Sequence, residues 1–539
     1  MGKRMKLIAA VAATALLAVG AGCAPDGAGG PSGSSAKQTL NVFMYQKPAG
    51  VFSPITGASG PDNEVMSLIY QSLVQADAKG TLQPILAESL PEVSSDAKTF
   101  TFHLRKDVKW SDGKPFTAKD VVFTYTRAAD PKTGSANSGN YTGIVGAEDF
   151  LAGKAKTISG LSAPDDHTFV LRTTRPNVGI VAQIGTVYVM PEHQLATLPV
   201  DNFALNKYWN APKLAIGPYR FVENKVDQYV HVTANPHYRK KIQIKDVYLK
   251  AVTADVATAQ LSTGEMDIAS IAPTDLAAVQ GQPNIKVSTV DTGGFVRMSW
   301  NQDQQRFKDP KVRQAFLHAI DREAIVKSAL AGKGKVRNSV FDPKWTASGI
   351  DTYAYDPGKA KQLLKEAGWD SSQVVKISWI AGGNPDRDAA ATAIQDMLNK
   401  AGIKAKLDQV QAAFFTDAYQ NPLKYDLTLF GGGNYSIDSW STHVVTGCDQ
   451  WVPDHGGNVG HYCDKDLDAL MNKANGTVDE AQRDELYKQA SKLENADPSM
   501  MWLYNPSGVW AVNAKLSGFE GLDPNGAGWW MPENWRFTG

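Results

Sequence analysis

Cysteine and histidine are the side chains of this protein best suited to chemistry, and their densest group lies in one stretch. Cys448 and Cys463 stand fifteen positions apart, among His443, His455 and His461. Thiolate and imidazole are good ligands for transition metals, yet these spacings match no tight metal-site pattern. In an oxidising compartment the two cysteines read more simply as a disulfide. It would close a loop rich in Gly, Asp and His and stabilise the fold by about 3 kcal/mol. No metal site is expected. Motifs that announce an enzyme are missing from the sequence: there is no HExxH, no G-x-S-x-G, no Walker-type phosphate loop and no dinucleotide fingerprint. Two of the many carboxylates could still meet in the fold as a hydrolytic pair, so a secreted hydrolase is the alternative class. The expectation from these motifs is a protein without covalent chemistry that takes no cofactor.

The N-terminus speaks to the compartment. Lys3, Arg4 and Lys6 precede an apolar run from Leu7 to Val19, and Gly20, Ala21 and Gly22 lead into Cys23. That is the layout of an export signal, and the run is too short for a spanning helix of about 20 residues. It resembles a bacterial lipoprotein signal, although Gly20 stands where that pattern prefers leucine. The resemblance implies that 1–22 is removed and Cys23 is acylated; the other reading is ordinary cleavage near Ala21, with Cys23 left as a free thiol. The stretch that follows, to residue 37, is rich in Gly, Ser and Pro and reads as a flexible tether. Acyl chains on such a leash would hold the folded body at the outer face of the cell membrane. The 55 basic and 55 acidic residues balance, which leaves no electrostatic footprint for nucleic acid. What remains after the signal is too long for a single core.

The elements that must carry the site show local signals. The body opens on Thr39–Tyr45, an apolar and aromatic run that predicts a buried strand. Val65, Leu68, Ile69 and Leu73 recur at helical spacing within 64–74. Phe100–Leu104 alternates like a half-buried strand, Ser111–Lys114 is a turn, and Thr117 with Asp120 starts a helix as a capping box. Another strand is expected around 216–221, then a helix over 256–261 closed by Gly264. The clearest helix starts at Asp309–Pro310, with Val312, Ala315, Phe316, Ala319 and Ile320 on one buried face. Asp356–Pro357 repeats that start, and Gly368 closes the helix. A further helix over 391–401 ends at Gly402, and strands follow over 403–410 and 425–430. This alternation from 296 to 505 argues an α/β domain.

Several of these segments, in order, resemble the landmarks of one family. They are FTFHLRKDVKWSDGKPFTAKDVVFTY at 100–125, Gly217-Pro218-Tyr219, Asn235-Pro236-His237-Tyr238, Thr263-Gly264-Glu265-Met266-Asp267-Ile268, and Val312-Arg313-Gln314-Ala315 through Ala319-Ile320-Asp321-Arg322-Glu323. Together they are similar to the peptide/nickel-type solute-binding proteins, family 5, of bacterial ABC importers, over nearly the whole mature chain. The resemblance implies an α/β fold of the periplasmic-binding-protein type II-like kind: two α/β lobes with an interlobe cleft, plus an extra inserted domain. It implies a discontinuous domain I over 38–78, 206–295 and 506–539, an inserted domain II over 79–205, and domain III over 296–505. A small-molecule ligand would lie between lobes I and III, buried by hinge closure. The protein would act as a monomer that delivers its ligand to the ABC permease subunits in the membrane.

The family's ligand contacts fall on a few loops. The loop after the first strand holds Tyr45, Gln46 and Lys47, where backbone groups of peptide binders run alongside the ligand. A second loop, 430–440, carries in dipeptide binders an aspartate for the ligand's ammonium; the equivalents here are Asn434 or Tyr435, and neither is charged. Asp438 falls at a structural aspartate of the family, with Ser439 in place of its proline. Trp440 and Trp379 could stack on a ligand, and Trp300 and Asn301 could form hinge and cleft wall together. The family favours an oligopeptide. The uncharged Asn434 and Tyr435, with the aromatic groups near them, also suit an oligosaccharide, because a buried unpaired ammonium would cost several kcal/mol.

Overall fold

The local signals set where many elements begin. Asp309 accepts the Lys311 amide at 2.8 Å, with Pro310 opening the helix Pro310–Ala319. Asp356 accepts the Lys359 amide at 2.8 Å ahead of the helix Pro357–Glu366. At Thr117 the Asp120 carboxylate accepts the backbone amide at 2.9 Å, and the helix Ala118–Ala129 follows. Strands form at Thr39–Met44, Thr99–His103, Lys404–Gln409 and Leu427–Asn434.

Elsewhere the expectation shifts. The strand placed around 216–221 runs over Tyr219–Lys225, and the helix placed over 391–401 spans Pro385–Lys400. The helix placed over 64–74 spans Gly60–Ile69 instead. Its end is made by distant chain: the Ile216 and Gly217 amides donate to the Ile69 carbonyl at 3.0 and 2.9 Å. A Cβ at position 217 would stand 2.7 Å from the Leu68 carbonyl oxygen, so only glycine allows this approach.

In this computed structural model, residues 37–538 form one compact body. The structure describes them apart from 57–59, 78, 137, 273–274, 292–293, 381–384, 421, 435–439, 453–456 and 523–527. The expected signal, Cys23 and nearly all of the tether lie outside the described residues. A mixed sheet of twelve described strands runs through the body. Its order from one edge is Lys404–Gln409, Val374–Trp379, Leu427–Asn434, Gly294–Trp300, Met501–Asn513, Ile268–Ser270, Thr39–Met44, Asp246–Ala251, Tyr229–Ala234 and Tyr219–Lys225. Ile285–Asp291 and Gly334–Val336 also pair with Met501–Asn513. A separate four-stranded sheet, which includes Thr99–His103 and Thr168–Arg172, lies within 79–205.

Two large apolar cores flank the middle of the long sheet. The first joins side chains such as Val42, Leu68, Phe100, Trp209 and Leu249 to Trp510 and Trp529 near the C-terminus. The second lies wholly within 295–504. Met501–Asn513 belongs to both: Met501–Tyr504 is buried in the second core, Trp510 and Val512 in the first, and the four residues Asn505–Gly508 between them are only half-buried. No helix among the described residues is long and apolar enough to cross a membrane.

Candidate ligand site

The strand Thr39–Met44 is held between Asp246–Ala251 and Ile268–Ser270, so the chain leaves the sheet at Tyr45. Tyr45 is 58% exposed, and Gln46 and Lys47 are exposed beside it. The loop is nonetheless tied down. Asp62, in the first turn of the helix Gly60–Ile69, accepts the Ala49 amide at 2.9 Å and the Gly50 amide at 2.8 Å. Lys47 pairs with Asp227 at 2.5 Å. A Cβ on Gly60 would stand 2.5 Å from the Tyr45 hydroxyl, so the phenol tip rests on the first turn of that helix. Partial burial, with the Glu64 carboxyl nearby, raises the Tyr45 pKa. Exposed side chains on a pinned backbone suit recognition of an extended ligand.

The other candidates divide. Leu427–Asn434 pairs antiparallel with Gly294–Trp300, with Asn434 opposite Gly294 and Leu427 opposite Trp300. Trp300 and Asn434 therefore sit at opposite strand ends, roughly 20 Å apart at about 3.3 Å per residue. Trp300 is 0% exposed, its ring edge-on to Phe316 at 6.4 Å. Asn301 is 2% exposed; its Nδ2 donates to the Tyr425 carbonyl at 2.7 Å and its Oδ1 accepts the Asp303 amide at 3.0 Å. Both serve the second core's own packing and bonding instead of facing a surface. Trp379 is 7% exposed and donates from its indole to Asp388 at 2.8 Å. Asn434 ends its strand, Trp440 opens the helix Trp440–Thr446, and Tyr435 and Asp438 lie outside the described residues.

Around the Gly294–Asn434 end stand residues that the sequence reading passed over. Asn505 Nδ2 donates to the Gly294 carbonyl at 3.0 Å, and Arg337 Nη1 reaches Asn505 Oδ1 at 3.4 Å. The Arg337 guanidinium lies 4.5 Å from the Phe295 ring centroid, and that of Arg297 lies 4.4 Å from Phe430. Arg387 lies against Gly431. Beside it, burial raises the pKa of the Asp386 carboxyl. Arginines on aromatic faces keep their charge while shedding water. The available signal was a charged residue, Arg297, inside the largely apolar run Phe295–Trp300.

Cys448 and Cys463 are bonded through their sulfurs. His443 lies 3.0 Å from Asp449, whose carboxyl that contact holds well below its ordinary range. His461 lies 3.0 Å from Asp303 and stacks on Trp451 at 4.4 Å. His455 lies outside the described residues. Each described histidine of the stretch thus has a carboxylate partner, and no group of three metal-ligating side chains gathers among the described residues.

Two cores bridged by a shared sheet define a mixed α/β protein. The chain belongs to the bacterial extracellular solute-binding proteins, family 5, which residues 81–449 match. It is 30% identical over 505 residues to a Brucella ovis protein provisionally named for ABC transporter peptide binding, covering 90% of this chain and 91% of that one. It is 27% identical to the oligopeptide-binding protein AppA of Bacillus subtilis, over 87% of each chain. Among solved structures, NikZ of Campylobacter jejuni, in complex with nickel and L-histidine, superposes with a TM-score of 0.77 at 25% identity, covering 93% of this chain and 99% of that one. The Bacillus subtilis AppA structure, with a nonapeptide bound, shares the fold with a TM-score of 0.76 at 24% identity, covering 94% and 100%.

Proposed function

We propose that this protein captures an oligopeptide, without covalent chemistry, and hands it to the permease of an ABC importer. The observation that carries the reading is the Tyr45–Gln46 loop: exposed, at the end of a buried strand, and held by Asp62 so that its backbone can run beside a peptide. Relatives named for peptide binding align over most of the chain. Residues 38–78, 206–295 and 506–539, with the insert 79–205, act as one body and 296–505 as the other; the half-buried Asn505–Gly508 is where they hinge. A ligand that binds only the folded state must raise the melting temperature. A peptide library should therefore shift the melt. A shift with short oligosaccharides and none with peptides would replace this reading by its alternative.

The exported body is a monomer anchored by lipid on Cys23, and the Cys448–Cys463 bond forms after export. Cys23→Ala should move the protein from the membrane fraction to the medium, and non-reducing peptide mapping should recover the linked cysteines. Unchanged membrane association would remove the anchor from this account, and two alkylatable thiols would remove the bridge.

A further inference from the structure

The aspartate that the resemblance to dipeptide binders would place in this loop for a ligand ammonium has no charged counterpart at Asn434 or Tyr435, so a peptide amine needs an anion elsewhere. Three acids stand close to the Tyr45–Gln46 loop. Asp62 is committed to the Ala49 and Gly50 amides, and Asp227 is paired with Lys47. The third is Glu64.

Glu64 shares the helix Gly60–Ile69 with Gly60, four residues apart and so on one face. Helical side chains lean toward the N-terminus, which aims this carboxyl back at Gly60, where the Tyr45 hydroxyl rests. Glu64 is only 4% exposed, and its Oε2 is sealed from solvent with no hydrogen-bond partner. No Lys, Arg or His pairs with it among the described residues. Native proteins rarely leave such a group without a purpose.

We propose that Glu64 is the anion that receives the ligand's ammonium group, with Tyr45 as the movable cover over it. This rests on the peptide reading for the ligand's identity, and for a peptide the ammonium is its N-terminal amine. An arriving amine displaces the exposed Tyr45 ring and supplies the counter-charge that burial otherwise withholds; without it the carboxyl pKa stands at about 8. Charge-assisted bonding in a dry site is both strong and selective.

The test is calorimetric titration of the wild type and Glu64→Gln with matched peptides, free or N-acetylated, and with amino sugars and polyamines. The wild type should bind free-amine peptides about tenfold or more tighter than their acetylated forms, and Glu64→Gln should erase that gap while its unliganded melt shows an intact fold. Glu64→Asp, with its carboxyl drawn back, should narrow the gap and keeps the test open if the Gln variant does not fold. Equal binding of acetylated peptides to the wild type, or a gap that survives in Glu64→Gln, overturns the proposal. If no peptide binds but an amino sugar or polyamine does, and loses affinity in Glu64→Gln, the peptide reading falls and the role of Glu64 stands. If no amine binds at all, both fall.

Discussion

Glu64 and Glu494 are both buried glutamates, one on the helix whose first turn the Tyr45 hydroxyl touches and one near the second core, which holds Trp300. Burial pushes each carboxyl from an ordinary 4.5 to about 8. Around Glu494 the protein supplies its own partners: Oε1 accepts the Ser499 hydroxyl at 2.6 Å and its amide at 3.1 Å, with the Trp502 indole alongside. Oε2 of each glutamate lacks a hydrogen-bond partner, and the aromatic near Glu64, Tyr45, is exposed where Trp300 is sealed. Glu494 is thus tied into its own core, and Glu64 is the one proposed to receive a ligand. A polar group bonded by its own fold rigidifies a core, and Glu494 has such bonds through Oε1.

Three changes would break or sharpen that contrast. Trp300→Ala should be the most damaging, costing about 3–5 kcal/mol of unfolding free energy in a urea titration, because a large ring leaves a cavity against Phe316. A loss below about 1 kcal/mol would show that Trp300 is not held by that core. A smaller effect should appear with pH. Between pH 4.5 and 8 the native state keeps protons on Glu494 and Glu64 that the unfolded chain releases, so stability falls as pH rises through that window. Glu494→Gln removes its share, and its melting temperature should decline less than the wild type's over the same range. Parallel pH curves for the two proteins would mean that Glu494 titrates normally. The smallest effect belongs to Tyr45→Ala, expected within about 0.5 kcal/mol for an exposed side chain, while ligand affinity changes. A large stability loss there would place Tyr45 with Trp300 as packing.

The sequence by itself determined what neighbours a few residues apart can decide. Asp309 and Asp356 start their helices by accepting amides two or three positions ahead, and Asp120 accepts the Thr117 amide three positions back; those bonds were legible in the residue types. The family followed from landmark segments whose order survives without any knowledge of contacts. Only the tertiary structure could stop a helix at Ile69, since Ile216 and Gly217 arrive from far along the chain. It alone could bury Trp300 while exposing Tyr45, two aromatics at strand ends that a sequence cannot tell apart. It alone could leave Glu64 Oε2 buried without a hydrogen-bond partner, because burial depends on what the rest of the chain brings, or fails to bring, to one place.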